Sequence, residues 1–111
     1  MAQTPEVKVK NRVKKILDEA GAYYFMPPAN GFGRAGIPDI VGCHKGVFFA
    51  VECKAGKNIP TALQEREIRN IKNVGGYAWV INEANVEELS LLLGGMTVPS
   101  NTSIEMRGTT L

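Results

Sequence analysis

The chain has 111 residues, 44% of them hydrophobic, with 13 Lys and Arg against 11 Asp and Glu for a formal net charge of +2. This is the composition of an ordinary globular domain, and a chain of this length supports a single core, which excludes a separate cofactor domain. Its apolar runs, such as Val47 to Val51, fall far short of the ~20 residues that cross a bilayer, and no apolar signal segment opens it, so a cytoplasmic protein with no membrane partner is expected.

Residues 4 to 21 carry a complete helix signature. Thr4 is placed to cap, Pro5 fits the first helical position, and Gly21 fits the end. Val9, Val13, Ile16, Leu17 and Ala20 recur at the helical period as one apolar stripe. Glu6 lies on the same line, so a carboxylate extends the buried face. Lys8, Lys10, Arg12, Lys14 and Lys15 crowd into eight residues of this helix. Residues 1–57 hold nine bases and five acids, whereas 58–111 hold four bases and six acids. A run of this kind is either a solvated face or a phosphate-binding stripe.

Between 27 and 38, Pro27, Pro28, Gly31, Gly33, Gly36 and Pro38 predict a mobile loop without regular structure, with Arg34 inside it. Asp39 to Cys43 and Val47 to Lys54 then read as a hairpin of two largely buried strands, with His44, Lys45 and Gly46 between them. His44 is therefore expected at an exposed turn rather than in chemistry. Thr61 and Gln64 match the capping-box pattern, and a second helix follows to about Val74. Glu65, Arg66, Arg69 and Lys72 should face outward, with Gln64, Ile68 and Ile71 inward. Tyr77 to Ile81 is most simply a third strand parallel to the second, closing a βαβ unit. A last helix is expected over Val86 to Leu93, capped by Asn85. The tail from Met96 should be irregular apart from a strand at Ser103 to Met106, available to the sheet or to a second subunit.

Three charged residues stand where apolar runs end: Asp39 at the start of one strand, and Glu52 with Lys54 at the end of its partner. Residues i and i+2 of a strand share a face, so Glu52 and Lys54 are neighbours, with Cys53 turned away. Hairpin pairing can bring Asp39 beside them. Charges so placed must be solvated, paired or holding a cation. Two carboxylates suit Mg²⁺ or Mn²⁺, and a nearby lysine suits a water or phosphate oxygen. An isolated Glu-x-Lys is more often a strand-end ion pair. Cys43 and Cys53 are too few for a zinc site and read as reduced core thiols.

The order Gly36-Ile37-Pro38-Asp39, twelve residues, Glu52-Cys53-Lys54 and then Gln64 on the next helix resembles the PD-(D/E)XK nuclease superfamily, and within it the virus-type replication-repair nuclease (VRR-NUC) domain. The resemblance covers about residues 4–93 and implies one nuclease domain over 1–111. Its expected fold is a restriction-endonuclease-like α/β core, a mixed sheet of antiparallel hairpin plus parallel βαβ strand flanked by helices. It implies a divalent-metal-dependent DNA endonuclease using Mg²⁺ or Mn²⁺. By position, Asp39 and Glu52 resemble the family's metal-binding carboxylates, the Cys53 carbonyl its third protein ligand, Lys54 its lysine and Gln64 its helix glutamine. Glu6 resembles the superfamily's first-helix acid, binding a metal-linked water.

In that light Lys8, Lys10, Lys14, Lys15, Arg34 and Lys57 become candidate phosphate contacts. The expected activity is that of a DNA-repair nuclease resembling a Holliday junction resolvase, acting on branched DNA as a homodimer. The alternatives are a flap, nick or sequence-specific nuclease of the same superfamily, and a noncatalytic DNA-binding module.

Overall fold

The computed structural model describes residues 3–28 and 33–98. Helix α1 spans Pro5–Ala20 and begins and ends as its sequence dictates. The Thr4 hydroxyl accepts the Val7 N–H at 3.2 Å, and Gly21 closes the helix in the left-handed conformation, with the Ala22 N–H returned to the Leu17 carbonyl. Its buried face is Val9, Val13, Ile16 and Leu17, each side chain stabilising the fold by roughly 1.5–3 kcal/mol.

Strands β1 (Tyr23–Phe25), β2 (Ile40–His44), β3 (Val47–Cys53) and β4 (Tyr77–Ile81) form one sheet in the order β1-β2-β3-β4. The first two pairings are antiparallel and β3 with β4 is parallel, which is the expected mixed sheet with one strand more. Helix α2 (Ala62–Asn73) links β3 to β4. The principal core lies on the α1 side, where Phe49, Val51, Cys53, Ile40 and Ile81 meet α1 and the C-terminal Leu89, Leu93 and Met96. A smaller cluster of Val41, Ala50 and Ala78 faces Ile68 and Ile71 of α2 on the opposite side. No helix among the described residues is long and apolar enough to cross a membrane.

The structure departs from the sequence expectations in several places. Strand β1 was not expected; its three aromatic residues pair with Val41 to Cys43. The hairpin turn is only Lys45 and Gly46, both at positive φ, a two-residue turn whose twist suits the strands. His44 therefore ends β2, opposite Val47, and is half-buried. Phe48, Tyr23 and Phe25 lie on the face of the sheet opposite the principal core and are 46%, 71% and 50% exposed.

The last helix divides into a 3₁₀ turn, Val86–Glu88, and a short α3, Leu89–Gly94. Asn85 makes no helix cap, since its side chain accepts the Asn82 N–H and donates to the Val80 carbonyl. Met96 is buried and the Thr97 N–H donates to the Tyr77 hydroxyl, so ordered packing continues past residue 93. The expected strand at 103–106 lies outside the described residues.

Candidate active site

Hairpin register brings the two carboxylates together. Ile40 pairs with Val51, so Asp39, one residue before β2, falls beside Glu52, the penultimate residue of β3. Both belong to the α2 face of the sheet, while Cys53 between Glu52 and Lys54 turns into the α1 core and is fully buried. Asp39 Oδ2 accepts the Cys53 backbone N–H at 2.9 Å, which ties the end of the loop to the end of β3. Lys10 of α1 brings its ammonium to 3.8 Å from Asp39 Oδ1. The Lys54 backbone N–H continues the β3–β4 pairing by donating to the Ile81 carbonyl, and its side chain returns to Glu52.

Glu52 is 2% exposed, and its two oxygens have different surroundings. Oε2 receives the Gln64 amide at 2.9 Å and lies 3.3 Å from Lys54 Nζ. Oε1 is buried and has no hydrogen-bond partner among the described residues. Burial, and then the charge of Asp39, push the Glu52 carboxyl up to about 7 despite the opposing pull of Lys54. Burial and the same neighbour drive the Cys53 thiol up to about 12, which leaves it inert as a nucleophile.

The donor set suits a hard divalent cation. An orphaned buried carboxylate oxygen is satisfied by a proton or by a positive charge, and a neighbouring carboxylate makes the charge the stronger match. Asp39 and Glu52 are the side chains that could hold such an ion, with the Cys53 carbonyl as the main-chain donor. Among the described residues no three His, Cys, Asp or Glu side chains cluster as a metal site, so an ion here would depend on that carbonyl and on water.

Gln64 serves two purposes with one amide. Its Oε1 accepts the Thr61 N–H at 2.9 Å in a complete capping box, and this fixes the Nε2 end toward Glu52. Helix nucleation and carboxylate orientation are therefore coupled.

Other expected residues are more dispersed. Glu6 is half-buried and lines an open pocket of about 450 Å³ with Ala55, Gly56, Asn58 and Glu83, between the start of α1 and the loop after Lys54. The basic run divides between faces, as the helical period requires. Lys10 stands at Asp39 with Lys14 one turn on, whereas Lys8 lines a different pocket with Arg12 and Glu83. Arg12 is taken by a bidentate pair with Glu87 at 2.6 and 2.8 Å. Lys15 and Lys57 are exposed. Arg34 reaches Glu67 of α2 at 2.9 Å. Glu67 is 5% exposed and was not singled out from the sequence, although its position three residues after Gln64 and four before Ile71 places it on the inward face.

Comparisons with known proteins bear on the family and the fold. A family model described as archaeal Holliday junction resolvase (Hjc) matches residues 7–93. A solved structure titled "VRR_NUC domain" has a TM-score of 0.66 with 24% identity, covering 78% of this chain and 95% of that one, which shows the shared fold. No curated protein shows significant similarity to the chain.

Proposed function

We propose a mechanism from one premise: the chain belongs to the archaeal Holliday junction resolvase family. It is a structure-selective DNA endonuclease of the resolvase kind, with a restriction-endonuclease-like fold. The reading added here is that cleavage depends on Mg²⁺ or Mn²⁺ held by Asp39 and Glu52 together with the Cys53 carbonyl, and that two copies of the chain act on one four-way junction.

The observation that supports this reading is the cross-strand carboxylate pair, with one Glu52 oxygen free of hydrogen-bond partners among the described residues and the other held by Gln64 and Lys54. Asp39, Glu52 and the Cys53 carbonyl would hold the cation, which when bound would supply Lewis-acid chemistry at the scissile phosphate. Asp39 is anchored by the Cys53 amide at one oxygen and faces Lys10 with the other. Gln64 holds Glu52 in one orientation, so little rearrangement is needed on loading. The Lys54 ammonium, 12% exposed, stands where it can stabilise negative charge on the phosphorane oxygens as the phosphodiester bond breaks. Glu6 shares a pocket with Ala55 and its charge acts on Cys53, so it would act through water.

The test is cleavage of labelled four-way junctions, flaps, nicked and linear duplex with Mg²⁺ or Mn²⁺. Asp39→Asn and Lys54→Ala should each abolish cleavage while circular dichroism and much of the junction binding are retained. Cleavage at the parental rate by either variant would remove the site assignment. Paired symmetric nicks on the junction and a dimeric solution mass are expected; preference for flaps with a monomeric mass would replace the resolvase reading by a flap-nuclease one.

A further inference from the structure

Glu67 is the one residue of α2 that is fully buried, more so than Ile68 or Ile71 of the same helix. A carboxylate in that place is costly unless it is paired, and pairing does not by itself explain why an apolar residue is not there instead. Its partners are Arg34 Nη2 at 2.9 Å and, more loosely, Arg66 Nε at 3.8 Å. The burial is one-sided. The Glu67 side chain is 7% exposed, whereas the Arg34 side chain is 66% exposed.

The pair therefore grips one edge of the guanidinium and leaves the rest open to solvent. An Arg has five N–H donors, and those not aimed at Glu67 remain available to an external anion. Gly36, two residues further on, lies so close to α2 that a Cβ would drive into the Leu63 carbonyl. Residues 34 to 36 are thus fixed to the first two turns of α2 at two points, and Asp39 follows directly. The same helix holds Glu52 through Gln64, one turn before Glu67.

We propose that Glu67 is a positioning residue which sets the Arg34 guanidinium as a pre-oriented contact for a DNA phosphate flanking the site of Asp39 and Glu52. The inference rests on the nuclease reading above and extends it to how the substrate backbone is seated. Holding a long side chain in one rotamer removes part of the ordering cost of each contact it makes. The charge of Glu67 weakens the attraction for phosphate, so its benefit lies in geometry, and the two effects have opposite signs in an experiment.

The experiment measures binding of the full-length chain to a labelled four-way junction in EDTA across a salt series, with single-turnover cleavage in Mg²⁺ alongside. Arg34→Gln should weaken binding and lower the log–log salt slope by about 1, the signature of one lost phosphate contact. Glu67→Gln should weaken binding several-fold with the slope unchanged, although it removes a negative charge. The double variant should bind no worse than Arg34→Gln alone. The cleavage rate at saturating enzyme should change far less than the affinity.

Parental or tighter binding by a folded Glu67→Gln protein, or additive losses in the double variant, would overturn the proposal and leave the nuclease reading standing. If Glu67→Gln fails to fold, Arg34→Lys decides: it keeps the charge but loses the fork, so its binding should fall toward that of Arg34→Gln with the slope kept, and parental binding would refute the inference. A parental chain that neither binds nor cuts any junction overturns both readings at once.

Discussion

A carboxylate that is 2% exposed and has one bare oxygen is hard to ionise, and Glu52 carries this cost in the absence of a cation. Its carboxyl is raised from an ordinary 4.5 to about 7 by burial first and Asp39 second. The stability linked to the bound proton is present in full below about 4.5 and is lost as pH rises through about 7. The chain in EDTA should therefore lose up to about 3 kcal/mol over that interval, from 1.36 kcal/mol per unit. Thermal melts of the parent and Glu52→Gln test this: the variant should be flat where the parent declines, and Mg²⁺ should raise the parental Tm most above pH 7.

Glu87 behaves oppositely, since its hydrogen bonds with Arg12 hold it below the usual carboxylate range. Its contribution is present above the unfolded value and disappears only as acid drops the pH through the lowered one, so the two windows separate. At Gln64, substitution by Glu keeps the acceptor that caps α2 but puts a carboxylate where an amide now donates to Glu52. Gln64→Glu should preserve helicity and lower cleavage by at least about ten-fold, the price of a charge repulsion near 1.4 kcal/mol. Equal single-turnover rates would show that this amide does not matter.

At the level of elements, α2 and the loop ahead of β2 act together. Gly36 has φ +83° and is packed against the Leu63 backbone, so Gly36→Ala meets both left-handed strain and a clash with main chain that cannot rotate away. A loss of about 2–4 kcal/mol in urea unfolding is expected, larger than for a typical surface Gly→Ala change.

The elements also show what sequence reasoning can reach. The ends of α1 and α2 were legible because capping is local chemistry, written in Thr4, Gly21, Thr61 and Gln64. The hairpin was legible because its strands are buried and β-branched. Strand β1 was missed because three residues give too little periodicity. Its trace lay elsewhere, in Gly42: a glycine inside an apolar strand signals close approach of another backbone, and a Cβ there would run into the Tyr23 carbonyl. Asn85 looked like a cap because local sequence cannot say that its side chain is already engaged by Asn82 and Val80.

Across the whole molecule, the basic half of the sequence does not become one basic surface. Lys14 follows Lys10 on the side of Asp39, and Lys15, its neighbour in sequence, points elsewhere. Junction affinity should fall steeply with salt, and Lys14→Ala should weaken it more than Lys15→Ala; the reverse order in a binding titration would move the DNA path to the other flank of α1. The contact of Asp39 with Glu52 was legible because hairpin pairing limits where strand ends can go. The isolation of Glu52 Oε1 and the burial of Glu67 were not, because both depend on three elements meeting at once.

The five cross-strand couples from Ile40–Val51 to His44–Val47 have a genetic consequence. Many letters of the hairpin can change while its core stays apolar, but its length between the acids cannot. Losing a single codon within Phe49 to Val51 would invert every later side chain of β3, send the Glu52 carboxylate into the greasy interior beneath α1 and present a thiol in its place. In-frame deletions here should be far more damaging than missense changes, even in a protein that still folds.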